Sequence, residues 1–215
     1  MRLFVGLIPT PEATTHAAGA VDRIASTTPD MRWVPSERWH VTLAFLGEVD
    51  PDRLPVLTAY LDELAVRQEP LAGLRLEGAG TFRGVLWLGV TDPAGALWSK
   101  SATGRPFPTE ERLGALARAV QRAMRDAHVP VERRPWRAHL TIARWRPSPE
   151  RDAAAHKAVE ALADYSGPAF AAHQIRLVHS ITGPSPRYED LHVAGLTGNK
   201  GQGAGKTETC WGVTT

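Results

Sequence analysis

The sequence predicts an α+β protein in which about eight strands are interleaved with four helices. Apolar residues recur at helical spacing in four stretches, most of them opened by a capping residue or an N-terminal proline. Between them lie short runs rich in Val, Leu, Ile and Phe, bounded by Gly and Pro, which read as strands. A repeat adds the third observation. The tetrad His40-Val41-Thr42-Leu43 returns as His139-Leu140-Thr141-Ile142, at a separation close to half the chain. That spacing suits two similar lobes, each lending one strand to a shared cleft.

Leu3 to Ile8 reads as a buried strand, and Thr10, Pro11 and Glu12 then open a helix as cap, first residue and first-turn acid, running to about Ser26. Trp33 and the His40 strand follow, ended by Gly47 to Asp50. A second helix is expected from Pro51 to Val66, with Leu54, Leu57, Leu61 and Leu64 as its buried stripe. Leu74 to Glu77 alternates, Gly78 and Gly80 mark a break or bulge, and Arg83-Gly84 turns the chain into the strand Val85 to Val90. Pro and Gly interrupt any regular element over residues 92–108, and Trp98 to Arg105 within this stretch reads as a surface loop or a flap carrying cations.

Thr109 caps a third expected helix with Leu113, Leu116, Val120 and Met124 inward, ending near His128. A fourth spans about Pro149 to Ala163. Phe170 to Ile181 and Tyr188 to Leu196 are the last strands, joined through Gly183-Pro184-Ser185-Pro186. From Thr197 to Thr215 no apolar period remains and disorder is expected, which leaves residues 1–196 as one bilobal domain. Gly203 to Thr207 is not a phosphate-binding Gly-rich loop, because Lys200 stands where that loop needs its first glycine.

Composition narrows the classes of function. The chain is 43% hydrophobic and 22% charged, with no run long enough to span a membrane, and Met1 leads straight into a strand rather than a signal segment. A cytoplasmic protein without membrane partners is expected. One cysteine excludes an internal disulfide and a Cys-based zinc site, and a net charge of +2 is too small for a general nucleic-acid binder. Arg133, Arg134, Arg137, Arg144 and Arg146 nevertheless crowd the second His strand, as a phosphate-binding set or a solvated rim.

Within each tetrad, His and Thr are two positions apart and share one face of a strand, while Val41, Leu43, Leu140 and Ile142 turn to the core. Two imidazoles and two hydroxyls on one face can move protons and hold anionic oxygens, which is phosphate chemistry without a metal or other cofactor. The remaining histidines stand outside the repeat, and no His-x-x-x-His spacing offers a metal site.

Several longer stretches resemble one family. Arg2 to Leu7, Arg32-Trp33-Val34-Pro35, Trp39 to Val49, Val85 to Val90, Pro135 to Arg144 and Gly183 to Tyr188 are similar, in this order, to the motifs of the 2H phosphoesterases, in particular the RNA 2′,3′-cyclic phosphodiesterases once called 2′-5′ RNA ligases. The resemblance runs from Arg2 to about Gly195. It implies two pseudo-symmetric lobes, each a small, mainly antiparallel sheet backed by helices, with the His strands at the floor of a central cleft. It also implies a monomer that hydrolyses a 2′,3′-cyclic phosphate at an RNA end or on a nucleotide to a 2′-phosphomonoester. His40 would be the general acid and His139 the general base, with Thr42, Thr141 and Arg144 holding the phosphate. Strict alternation turns Arg144 away from His139, so Arg144 joins them only if the strand bulges or ends there. The alternatives are a related enzyme acting on 2′-5′ oligonucleotides or cyclic ADP-ribose phosphates, and a non-catalytic RNA-binding module.

Overall fold

The computed structural model describes residues 1–28, 30–82, 84–92, 96–100, 106–132, 135–183 and 186–199. Its strands are β1 (Arg2–Leu7), β2 (Arg32–Trp33), β3 (Val41–Glu48), β4 (Leu71–Phe82), β5 (Val85–Thr91), β6 (Ala96–Lys100), β7 (Pro106–Glu110), β8 (His139–Arg144), β9 (Phe170–Ala172), β10 (Gln174–Ile181) and β11 (Arg187–Gly195). The helices are α1 (Pro11–Ala25), α2 (Leu54–Val66), α3 (Glu111–Asp126) and α4 (Pro149–Ala161).

The main sheet runs β11-β10-β1-β3-β8-β5-β4-β9, with β2 beside β8, and every pairing in it is antiparallel. Its two halves meet where β3 touches β8 at a single residue pair, Val41 with Leu140. Beyond that pair each His strand is met by the segment that leads into the other one. β2 and the Val34 amide lie along β8, the latter donating to Ile142 O at 2.8 Å, while the Glu132 amide reaches Phe45 O at 3.5 Å. This exchange gives the expected pseudo-twofold relation of the lobes a concrete form.

The cap read from the sequence holds α1, and the structure adds one for α4. Thr10 accepts from the Ala13 amide and Ser148 from the Arg151 amide, each with Pro in the first turn. Leu113, Leu116, Val120 and Met124 of α3 are all buried, and just past its end His128, with a φ of 56°, lets the Val129 amide return to Met124 O. α2 and α3 pack on β11 and β3, and α1 and α4 on β4. The sheet face beneath them carries Leu3, Val5, Leu7, Val41, Leu43, Leu88, Leu140 and Ile142, none measurably exposed.

Four expectations change. The second helix begins with a 3₁₀ turn, Pro51–Arg53, before α2 starts at Leu54, because the Asp50 side chain caps the tighter turn through the Asp52 amide. Within residues 92–108, β6 and β7 form an antiparallel hairpin whose register extends to Glu110, so α3 starts at Glu111 and Thr109 is a strand residue. The run from Phe170 to Ile181 divides at His173: β9 pairs with β4 in one half of the sheet, and β10 with β1 in the other. Thr197 and Gly198, placed in the tail by composition, hydrogen-bond to the end of α2 through Val66 O and Gln68 O. Residues 200–215 lie outside the described residues.

Asp92, fully buried at the end of β5, is held by the guanidinium of Arg112 on α3, which also donates to Ala72 O at 2.8 Å. No sequence pattern announces this pair. It ties the second half of the sheet to the helix that crosses to the first.

Leu140→Ala should lower the unfolding free energy by about 2–5 kcal/mol, the usual range for emptying a buried leucine site, measurable by urea denaturation. A change below about 1 kcal/mol, well short of that range, would mean the lobes do not depend on the Val41 and Leu140 junction for their packing.

Candidate active site

Behind each histidine the chain approaches in extended form, so that the imidazole folds back onto the carbonyl two residues earlier. His40 Nδ1 lies 2.8 Å from Arg38 O and His139 Nδ1 lies 2.9 Å from Arg137 O. A carbonyl only accepts, so Nδ1 carries the hydrogen in both rings and Nε2 remains as the reactive nitrogen. Neither Nε2 has a hydrogen-bond partner among the described residues, and the same holds for the Thr42 and Thr141 hydroxyls. Two oriented imidazoles and two uncommitted hydroxyls thus share the half-buried face opposite the helices.

Register brings Arg144 to the same face. β8 pairs Trp87 with Thr141 but Leu86 with Ala143, which leaves Ile142 as an extra residue on β8. One extra residue shifts the alternation by one, so Ile142 and Ala143 are both buried and Arg144, exposed, turns back toward His139 and Thr141. β3 has a bulge at the matching place, between Gly6 with Thr42 and Val5 with Ala44, and there Leu43 and Ala44 are the buried doublet. Carbonyls of β3 that β8 does not reach are taken by side chains: Trp136 Nε1 donates to Thr42 O at 2.8 Å and Gln121 Nε2 to Leu43 O at 3.0 Å.

Each imidazole also stands among aromatic rings that sequence reasoning did not single out. Phe4 stacks on His40 at 4.4 Å and Tyr188 meets it edge-on at 5.1 Å; Phe82 meets His139 edge-on at 5.1 Å, with Trp87 at 6.4 Å. Trp87 can lie there because its neighbour is Gly80, where a Cβ would come within 2.2 Å of the indole. Phe4 had no readable signal, since it sits in a continuous apolar strand and looks like core. A signal for the bulges did exist in the apolar doublets after Thr42 and Thr141, which break the alternation.

Burial among these rings pushes His40 down to about 4; its hydrogen bond to Arg38 O opposes this, and the charges of His139 and Arg144 add to it. His139 is lowered as well, first by burial and also by Arg144, against its bond to Arg137 O. Arg144 therefore lies within electrostatic reach of both rings. Arg137 and Arg146 are exposed, while Arg133 and Arg134 lie outside the described residues. Elsewhere His192 bonds Asp62 at 2.7 Å and His16 bonds Tyr165 at 3.1 Å, away from the repeat. A concavity of about 480 Å³ lined by residues such as Ile8, Thr14, Gln174 and Arg176 touches none of the five predicted site residues; the chemistry belongs instead to the face that carries both imidazoles, where the free Nε2 acceptors and Thr hydroxyls lie. The described residues hold no group of three or more His, Cys, Asp or Glu side chains able to bind a metal, and no helix long and apolar enough to cross a membrane.

A model of the 2′-5′ RNA ligase superfamily matches residues 12–183. The chain belongs to that superfamily. Superfamily relatives include the RNA 2′,3′-cyclic phosphodiesterase of Geobacillus stearothermophilus, 28% identical over 206 residues that cover 90% of this chain and 59% of that protein, so the chain spans under two thirds of that relative's length. The RNA 2′,3′-cyclic phosphodiesterase of Thermus thermophilus is 31% identical over 150 residues, covering 67% of this chain and 68% of its own. The solved structure of TT0787, also of Thermus thermophilus, has the same fold, with a TM-score of 0.67 at 24% identity over 92% of this chain and 99% of that one. This agrees with the α+β, two-lobed architecture expected of a superfamily member.

In nitrogen-detected NMR, both imidazoles should be neutral Nδ1–H tautomers at pH 7, with His40 titrating near 4. Arg144→Gln should move both titrations upward, because it removes a positive neighbour. An unchanged His139 titration in that variant would place Arg144 outside the site.

Proposed function

We propose that this protein hydrolyses 2′,3′-cyclic phosphates at RNA ends or on nucleotides, leaving a 2′-phosphomonoester, by acid–base catalysis between His40 and His139. The observation that carries the reading is the matched pair of imidazoles, each anchored through Nδ1 on the carbonyl two residues before it and each followed by a Thr on the same face. The names of the curated relatives support the same activity. We carry forward with it a monomer acting in the cytoplasm, with RNA or nucleotide as its partner.

In this reading His139 Nε2 takes a proton from water as the water oxygen bonds to phosphorus. The bond from phosphorus to O3′ breaks, and O3′ takes the proton of His40. Phosphate remains on O2′, His139 ends protonated and His40 neutral, and proton exchange with solvent resets the pair. Thr42, Thr141 and Arg144 hold the non-bridging oxygens, donors aimed where negative charge gathers. The acid needs a proton that burial and Arg144 disfavour, and a bound phosphate anion restores it by offsetting the charge of Arg144. One observation favours exchanged roles: the ring held down to about 4, His40, is the readier one to be neutral. A substrate with a good leaving group at O3′ separates the two assignments, since it rescues only loss of the acid.

A nucleoside 2′,3′-cyclic phosphate assay tests the function. Activity should survive exhaustive chelation, and its dependence on pH should be bell-shaped, with apparent values that belong to the pair. The optimum of kcat should lie at higher pH than that of kcat/KM, because bound phosphate raises the pKa of the acid. Replacing either histidine by Ala should lower kcat by about 10²–10⁴-fold with a smaller effect on binding. Loss of activity with chelator and its return with a divalent ion would refute the two-imidazole mechanism.

A further inference from the structure

β2 is only two residues long, yet it sets a second arginine against the cleft. Arg32 is the antiparallel partner of Arg144, and Trp33 that of Ala143. Residues directly opposed in an antiparallel pair project from the same face. Trp33 packs into the core and its indole donates to Thr28 O at 3.2 Å, so Arg32, one residue earlier, leaves on the opposite side with Arg144. Both are exposed, and neither forms an ion pair with a carboxylate among the described residues. Like charges directly opposed across a strand pair repel. An anion set between or beside them removes that cost.

The position of Arg32 limits what that anion can be. Arg144 acts on both imidazoles, whereas Arg32 is among the electrostatic influences on neither. Along the edge of β8 the contacts run from Val41 at Leu140, through the Val34 amide at Ile142 and Trp33 at Ala143, to Arg32 at Arg144. Arg32 is therefore at the end of this edge furthest from the His strand junction, on the outer side of the groove. A phosphate held by the threonines and Arg144 is one step short of it. In a nucleotide with a 2′,3′-cyclic phosphate, the next anion is the phosphate on the 5′ carbon of the same ribose.

We propose that Arg32, with Arg144, forms a second phosphate subsite that binds the 5′-phosphate of the nucleotide whose 2′,3′-cyclic phosphate lies between the imidazoles. The subsite rests on the cyclic-phosphate reading above and extends it: it makes the enzyme select chain ends and 5′-phosphorylated nucleotides over nucleosides with a free 5′-hydroxyl. Arginine suits this task, since its planar fork can grip phosphate oxygens in pairs.

The test compares cytidine 2′,3′-cyclic phosphate with and without a 5′-phosphate. Wild type should show a kcat/KM about tenfold higher for the 5′-phosphorylated form, the weight of one charge-assisted contact, and the advantage should shrink with added salt. Arg32→Gln should remove that preference, and Arg32→Lys should keep part of it. Equal handling of the two substrates by wild type, or an equal loss on both in Arg32→Gln, would overturn the subsite. Calorimetric binding of cytidine 2′-phosphate and cytidine 2′,5′-bisphosphate gives a readout that does not need turnover. An Arg32-dependent gain of about tenfold for the bisphosphate, with no hydrolysis of either substrate, would uphold the subsite and sink the proposed activity. No gain would sink the subsite whatever the activity.

Discussion

The cleft depends on a contact one residue pair long. β3 and β8 touch at Val41 and Leu140, and both side chains are fully buried beneath the helices. The residue before Val41 and the residue before Leu140 are the two histidines, so the junction that locks the lobes also fixes the spacing of the imidazoles. A longer ladder between the strands would close the groove, because neighbouring strands lie only about 5 Å apart. Ending the pairing after one residue leaves each His strand with an edge that other groups must satisfy, and Trp136, Gln121 and the Val34 amide do so. These groups keep the groove open while satisfying the carbonyls along it.

From that junction the two bulges determine what else can enter the site. Without an extra residue at Ile142, Arg144 would alternate into the core face, where an unpaired guanidinium is costly. The bulge at Leu43 brings Phe45 to the equivalent place in the other lobe, and its ring lies 5.1 Å from the guanidinium carbon of Arg2. The lobes share a backbone plan but differ in what they present: a free arginine on one side, and on the other an aromatic residue bearing an arginine. Positive charge not stacked on a ring therefore lies along β8.

Much of this is legible in the amino-acid sequence, and the reason is periodicity. His40, Thr42, His139 and Thr141 can be read together because strand alternation fixes which residues share a face, and the helix cap at Thr10 because its partner is three residues away. Features set by pairing between distant segments are not legible. The apolar run from Phe170 to Ile181 looks like one strand, and only its partners reveal that it serves both halves of the sheet. Phe4, Phe82 and Trp87 resemble core residues until register sets them beside an imidazole. Asp92 sits after a strand like any turn residue, and its partner Arg112 is twenty positions away on another element. The bulges fall in between: the doublets Leu43-Ala44 and Ile142-Ala143 announce a break in alternation but not which strand absorbs it.

The electrostatics of the groove oppose the protonated state that half of the proposed chemistry needs, and stability carries the trace of that conflict. His40 falls to about 4 in the folded chain against 6.5 when free, and His139 is shifted the same way. As pH falls below 6.5 the unfolded chain binds protons that both folded rings resist, so folding stability declines, for His40 down to about 4, and is fully present above this window. Rings kept neutral by burial and by Arg144 are available to accept a proton, though as weaker bases, and seldom carry the proton that an acid must give. In the proposed reaction a phosphate entering the groove would reverse the balance, adding negative charge near the two rings and Arg144, so that one ring would gain its proton when there is something to protonate. On that proposal protonation is coupled to occupancy, and a bound anion should protect the fold most at the acid end of the window.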